Sequence, residues 1–275
     1  MQTDFYIPHI ALREFVSSIL IIQSNLDDKN SASACLYPPT PQHCIFLYID
    51  DPLKSQKDGE TDFRIQPSSI IVGPQITRVN LIIGKIFRSA CIGFHPGGLH
   101  RLLGIPMQDI FDEGFDGADL IGNEINALNS RLKEAIGASA IRNLVEEYLL
   151  SKLGKLKSSL PFDLAMKELM SSHGTSSIER IASLSCLSLR QFERKCHERI
   201  GLPPKVFARL IRFSKAYRLR ERHPEISWTK IAHECSYFDQ MHLIRDFKEF
   251  AGITPSAIEK ELALAPFRLQ TDMQF

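Results

Sequence analysis

Along the first third of the chain, short β-branched or apolar runs alternate with turn signals. The runs are Ile19 to Ile22, Ile45 to Ile49, Ile70 to Val72, Val79 to Ile83 and Ile86 to Phe94. Their separators include Pro38-Pro39, Asp50-Asp51-Pro52, Lys57-Asp-Gly59 and Gly73-Pro74. Runs of this kind broken by Pro, Gly and Asp predict an antiparallel barrel or sandwich. Beyond residue 95 the apolar period lengthens, and Leu99 to Leu103, Ile125 to Ile136 and Ile141 to Leu153 read as helices. In the last of these, Ile141, Leu144, Val145, Tyr148 and Leu149 form one stripe, which either covers the barrel or makes a dimer interface. From Lys152 to Pro161 the helical pattern gives way to small, polar and Gly/Pro residues, as a linker would.

The remainder contains a repeat. Ile181-Ala182, Ser188 and the run Leu189 to His197 end near Gly201-Leu-Pro-Pro204. Ile231-Ala232, Asp239 and the run Gln240 to Lys248 end near Gly252-Ile-Thr-Pro255. At an offset of 51, Phe192 matches Leu243, Arg194 matches Arg245, Cys196 matches Phe247, Gly201 matches Gly252 and Pro204 matches Pro255. Each copy reads as two helices joined by a short turn, with Ser177 and Ser188 as N-caps in the first and Asp239 capping the last helix of the second. Phe192, Cys196 and Ile200 recur at helical spacing and pack inward, as do Leu243, Phe247 and Ala251. This turns Arg190, Gln191 and Arg194 outward on one helix, and Gln240, Met241, His242 and Arg245 on the other. Arg can bond guanine bidentately and Gln can bond adenine, so these residues suit a helix-turn-helix reading the major groove. A helix from about Pro203 to Arg222 joins the copies, with Val206, Leu210, Phe213 and Tyr217 on one stripe and basic residues expected over the remaining face. It would hold the two reading helices about one DNA turn, ~34 Å, apart.

Charge sharpens this division. The 275 residues carry a formal net charge of only +1, which taken alone disfavours a nucleic-acid partner. Residues 1–159, however, hold 15 basic and 18 acidic side chains, whereas residues 160–275 hold 18 and 14. Between Arg190 and Arg222 there are eleven basic residues against three acidic ones. A polyanion gains from such a surface by releasing its condensed counterions.

These features together resemble the AraC/XylS family of bacterial transcription regulators over about residues 165–262. The residues that carry the resemblance are Ile181-Ala182, Ser188-Leu-Arg-Gln-Phe-Glu-Arg194, Gly201, Pro204, Arg212, Ala216, Ile231-Ala232, Tyr237, Asp239-Gln240, His242-Leu243, Arg245-Asp-Phe-Lys248, Gly252 and Thr254-Pro255. The first half resembles the cupin-like sensor domain of the same family, and Gly93-Phe-His-Pro-Gly-Gly98 a segment of one subgroup. The resemblance implies an α+β chain: an antiparallel β barrel or sandwich with helices over 1–157, serving sensing or dimerization, an all-α DNA-binding domain with two helix-turn-helix motifs over 158–264, and a tail over 265–275. It implies sequence-specific binding of double-stranded DNA through Arg190, Gln191, Arg194, Gln240, Met241, His242 and Arg245, with Lys195, Lys205 and Lys248 on phosphates. RNA polymerase, a small-molecule effector at the N-terminal domain and a second copy of the chain are the other partners it implies. Two positions depart from the family pattern. Cys196 replaces a usual Phe, which predicts a looser first reading helix, and Ser236 replaces a turn Gly, costing about 1 kcal/mol if the backbone there is left-handed.

Other classes find little support. Phosphate-binding Gly loops, a G-x-S-x-G elbow and an H-E-x-x-H helix are absent, so no catalytic residues are expected. The six cysteines include no C-x-x-C pair, and His95 and His100 are too isolated for a metal site, so neither metal nor cofactor is expected. No apolar run approaches the roughly 18 residues of a membrane span, so the expected compartment is the cytoplasm. A helical adaptor that uses its basic half for acidic proteins is the rival reading, and sequence-selective duplex binding separates the two.

Overall fold

The computed structural model describes residues 2–26 and 34–264, so the expected tail over 265–275 lies outside the described residues. Strands β1 (Gln2–Tyr6), β2 (Val16–Asn25), β3 (Cys35–Tyr37), β4 (Cys44–Tyr48), β5 (Lys54–Lys57), β6 (Arg64–Ile65), β7 (Ser69–Val72), β8 (Val79–Ile82), β9 (Ile86–Phe94) and β10 (Gly114–Asp116) form two antiparallel sheets. The larger sheet runs β1-β2-β9-β4-β7-β10 and the smaller β3-β8-β5-β6. In β2, β4 and β9, alternate residues serve different cores. Ile19, Ile21, Ile45, Leu47, Ala90 and Ile92 join the core beneath the helices, while Leu20, Ile22, Cys44, Tyr48, Phe87 and Cys91 face the space between the sheets. A strand buried on both faces is written as a continuous apolar run, as in β2, β4 and β9, whereas β8, from the Val79 to Ile83 run, is only half-buried. Strands β5 and β6 carry no such run; pairing of β5 with β8 and of β6 with β5 gives them their extended form.

Helices α1 (Gly98–Leu103), α2 (Gly117–Ile121), α3 (Glu124–Glu134) and α4 (Ala138–Ser151) follow. Ile141, Val145, Tyr148 and Leu149 of α4 are buried with Ile19, Ile21 and Ile92, so the stripe covers the barrel and those four side chains are not free to form a dimer face. Helix α3 stops at Glu134, short of the expected Ile136, which stands 93% exposed. The supposed linker is tied down: Lys157 N–H donates to the Arg101 carbonyl at 3.0 Å and Arg101 Nε to the Lys157 carbonyl at 2.8 Å.

The C-terminal half is all helix: α5 (Pro161–Ser171), α6 (Ile178–Leu184), α7 (Leu189–Arg199), α8 (Pro204–Arg222), α9 (Trp228–Glu234), α10 (Gln240–Phe250) and α11 (Pro255–Leu264). None of the described helices is long and apolar enough to cross a membrane. One core runs through both hairpins and α8. At its middle the Phe213 ring lies 5.0 Å from that of Phe247, 5.3 Å from Phe250 and 6.2 Å from Tyr217. Cys196 does not leave the first reading helix loose. Helix α5 fills the space, with Met166 Sδ 3.9 Å from Cys196 Sγ and Phe162 5.4 Å from Phe192, and Cys196 is fully buried.

Replacing Phe213 with Ala should lower the unfolding free energy by about 3–5 kcal/mol. Denaturant titration should show this as a lower midpoint at nearly unchanged slope.

Candidate nucleic-acid interface

The two hairpins are built alike from their backbones outward. Ser177 and Ser227 cap α6 and α9 by accepting from the third backbone N–H beyond them. In each turn a backbone N–H reaches back to an Ala carbonyl, Leu187 to Ala182 at 3.2 Å and Tyr237 to Ala232 at 2.9 Å. The residue just before, Cys186 or Ser236, has φ of +57°. Ser236 therefore does occupy the left-handed region, and so does its counterpart Cys186. After this point the hairpins diverge by one residue. Ser188 follows Leu187 directly and caps α7, whereas Phe238 intervenes between Tyr237 and the α10 cap, Asp239.

All seven predicted base-reading side chains, Arg190, Gln191, Arg194, Gln240, Met241, His242 and Arg245, are exposed. Two have structural duties as well. Gln191 Oε1 accepts from the Ser188 backbone N–H at 3.0 Å, closing a capping box, and His242 Nδ1 lies 2.8 Å from the Asp239 carboxylate. Of the three lysines assigned to phosphates, Lys205 and Lys248 are exposed, whereas Lys195 is half-buried and paired with Glu198 at 2.7 Å. Phe238 was not foreseen, although it is 93% exposed at the edge of α10. The only sequence signal for it was the turn length, seven residues from Ala232 to the cap against six from Ala182.

The expectation that basic residues cover the outer face of α8 is wrong for much of the helix. Arg209 donates from Nε to Asp246 at 3.0 Å and also binds Glu249, its guanidinium lying 5.5 Å from the Phe250 ring centre. Arg212 lies over Tyr237 at 5.6 Å, Lys215 donates to the Glu234 carbonyl at 3.2 Å, and Arg220 binds Glu259 and the Ile226 carbonyl. These cations fasten the second hairpin and α11 to α8, because a helix packed on several sides has few faces left for solvent. Arg190, Arg194, Lys205 and Arg245 are exposed, and none of them forms an ion pair among the described residues.

The C-terminal ends of both reading helices rest on the N-terminal half. A Cβ on Gly201 would lie 2.4 Å from Pro74 and 2.9 Å from the Met107 carbonyl, and one on Gly252 2.7 Å from the Asp58 carboxylate. Arg199, at the end of α7, forms a buried ion pair with Asp163 at 2.8 and 3.0 Å, against the Gly97 backbone. Asp163 also accepts from the Leu160 N–H at 2.8 Å at the start of α5. His43 is buried and bonded to the backbone of Ile200, the residue after Arg199. Burial pushes its pKa down to about 4 despite that bond, and neighbouring His100 works in the same direction. The N-terminal ends of α7 and α10 lie one helix length, about 16 Å, from the docked ends.

Between the sheets lies a cavity of about 260 Å³ with an apolar interior that includes Tyr37, Phe46, Tyr48, Leu81 and Phe87. Lys57, Glu60, Arg64, Asp112 and Glu113 supply its polar rim. Asp112 joins this rim to the hairpins. Its carboxylate accepts from the Ile76 and Thr77 N–H groups at 2.9 and 3.0 Å and lies 3.0 Å from Lys57 Nζ, and its own N–H donates to the Pro74 carbonyl at 2.8 Å. Burial works to raise the Asp112 pKa, but the bonds from Ile76, Thr77 and Lys57 prevail and hold it below the ordinary value. Pro74 is the residue against Gly201, and Arg78, four residues on, approaches Gly252 and pairs with Glu261 at 3.7 Å.

Residues 181–261 match the family model described as a helix-turn-helix domain, and residues 4–116 match one described as a domain of unknown function (DUF6597). No curated protein of similar sequence was found. Among solved structures, an apo form of ToxT from Vibrio cholerae is similar at 14% identity and a TM-score of 0.49, covering 89% of this chain and 97% of that one. An unsaturated-fatty-acid-bound ToxT from the same organism is 13% identical with a TM-score of 0.46, over 91% and 97% of the two chains. The AraC-like transcriptional activator CuxR is 8% identical with a TM-score of 0.23, over 98% and 88%.

Replacing Asp163 with Ala strands the Arg199 charge in a buried site and should lower stability by about 3–5 kcal/mol, measured by denaturant unfolding. His43 gives a pH dependence of known sign. Its pKa is lower in the folded than in the unfolded chain, so the unfolded chain binds more protons as pH falls from about 6.5 toward 4, and stability is lost across that window. At pH 5 the loss from this group should be about 2 kcal/mol relative to pH 7, and unfolding of His43→Gln should lack it.

Proposed function

We propose that this chain is a DNA-binding transcription regulator of the AraC/XylS type and that it binds a specific duplex sequence with α7 and α10 in two successive major-groove segments. The observation that carries this reading is the pair of equivalent hairpins on one core, with polar base-reading faces exposed and the opposite helix ends docked. Arg190, Arg194, Gln240, Met241 and Arg245 contact base edges in this reading. Gln191 and His242 do so while also holding their caps, and Lys205 and Lys248 bind phosphates. Residues 1–157 act as the sensor and 158–264 as the DNA-binding unit. RNA polymerase is the downstream partner and a second copy of the chain a further one.

The barrel cavity is the effector site in this proposal. Its lining suits a small molecule with an apolar body and one polar end directed at the Lys57, Arg64 and Asp112 rim. An occupant that drew Lys57 away from Asp112 would act on residues 74–78, and through them on the ends of both reading helices. Coupling of this kind requires the ligand to favour one arrangement of the segment over another.

Selection of duplexes from a random pool with the full chain tests the DNA reading. One sequence class should be enriched and bind with a steep salt dependence; equal binding to all sequences would reject it. On the enriched site, Arg194→Ala or Arg245→Ala should cost about 1–3 kcal/mol and relax preference at one position, read by binding to single-base variants. Lys205→Ala should weaken binding to all sequences alike and lower the salt slope by about one unit. Calorimetry against a metabolite panel should yield a ligand whose binding disappears in Leu81→Trp, which fills the cavity.

A further inference from the structure

Phe238 is the residue by which the second hairpin exceeds the first, and it stands 93% exposed beside Met241 at 65%. Its ring is propped in place. It meets His242 edge to face, with centroids 6.0 Å apart and planes at 79°, and His242 is held at 2.8 Å by the α10 cap, Asp239. A large apolar ring fixed in water gives up the free energy of burial, so its position serves something other than folding. The charged groups around it indicate what it meets. Phe238 lines a groove with Arg209, Arg212, His242, Arg245, Asp246 and Glu249, and Arg209 takes up both carboxylates; the groove lies at the N-terminal edge of a helix whose outward face carries Gln240 and Arg245. Protein-docking patches are contiguous apolar areas of several hundred Å², whereas here two apolar side chains stand in a charged surround whose carboxylates Asp246 and Glu249 are paired with Arg209, with Arg212 and Arg245 beside them.

We infer that Phe238, with Met241 beside it, packs against the C5-methyl of a thymine in the major groove and makes the second hairpin select that base. The thymine methyl is the apolar feature of the major-groove edge, and Phe is among the side chains that contact it. This inference rests on the DNA-binding function proposed above.

The experiment uses the full chain and the duplex it enriches from a random pool. Each thymine in that site is replaced in turn by deoxyuridine, which removes only the methyl group. At one or two thymines the wild-type chain should lose about fourfold in affinity, the worth of one methyl withdrawn from water. Phe238→Ala should bind the thymine duplex correspondingly more weakly and show no further loss with deoxyuridine there. Phe238→Leu should keep part of the effect, and an unchanged circular dichroism spectrum and thermal midpoint would show that both variants fold. Equal deoxyuridine penalties in wild type and Phe238→Ala, or none in the wild type, would overturn the contact while leaving sequence-specific binding intact. Phe238→Ala that binds DNA normally but loses association with RNA polymerase would likewise overturn it in favour of a protein contact. Enrichment of no sequence would reject the DNA-binding reading itself, and this contact with it.

Discussion

Helix α8 has to satisfy two similar hairpins at once, and this constraint organises the C-terminal half. A 19-residue helix spans about 28 Å, and its buried side chains cover far more than one face. Phe207, Leu210, Ile211, Phe213, Ala216 and Tyr217 all enter the same core, with Phe213 meeting Phe247 and Phe250 of the second hairpin. Because this core is continuous, the two reading helices are held relative to each other by packing. A change under one hairpin is therefore felt by the other.

The same constraint explains where the positive charge goes. Had α8 been amphipathic in the ordinary way, its arginines would have lined a solvated face. With apolar contacts on several sides, Arg209, Arg212 and Arg220 instead reach across to Asp246 and Glu249, Tyr237 and Glu259. Each guanidinium is planar and forked, so it can bind a carboxylate and lie over an aromatic ring at once, as Arg209 does between Asp246, Glu249 and Phe250. The exposed cations are a smaller set that includes Arg190 and Arg194 on α7, Arg245 on α10 and Lys205.

The C-terminal ends of the same helices are docked on the barrel half. Residues 74–78 lie between the cavity rim and both docked glycines, and Asp112 holds them through bonds to three backbone groups. Positive φ favours glycine at both 201 and 252, and at 201 the closeness of Pro74 and the Met107 backbone requires it a second time. The sequence repeat matches these two glycines at the 51-residue offset, but a C-cap explains such a glycine well enough by itself. Their role as contact points follows from what faces them, and those residues lie more than 90 positions away along the chain.

The amino-acid sequence by itself determined what depends on local period and local chemistry. Apolar runs marked β2, β4, β7, β8 and β9, the i, i+4 stripes marked α7, α8 and α10, Ser188 and Asp239 marked the caps, and the offset marked the duplication. Polar strands such as β5 and β6 were silent because their extended form comes from a neighbour, and Phe238 because turn length alone does not say which way a side chain points. Tertiary structure decided how the charges and the spare apolar groups were used. Arg199 found Asp163, Arg209 found Asp246, Met166 filled the space beside Cys196, and the α4 stripe closed on the barrel. Each of these pairs joins residues distant in sequence, and an ion pair or a packed contact depends on separations of a few ångströms that no one-dimensional period encodes.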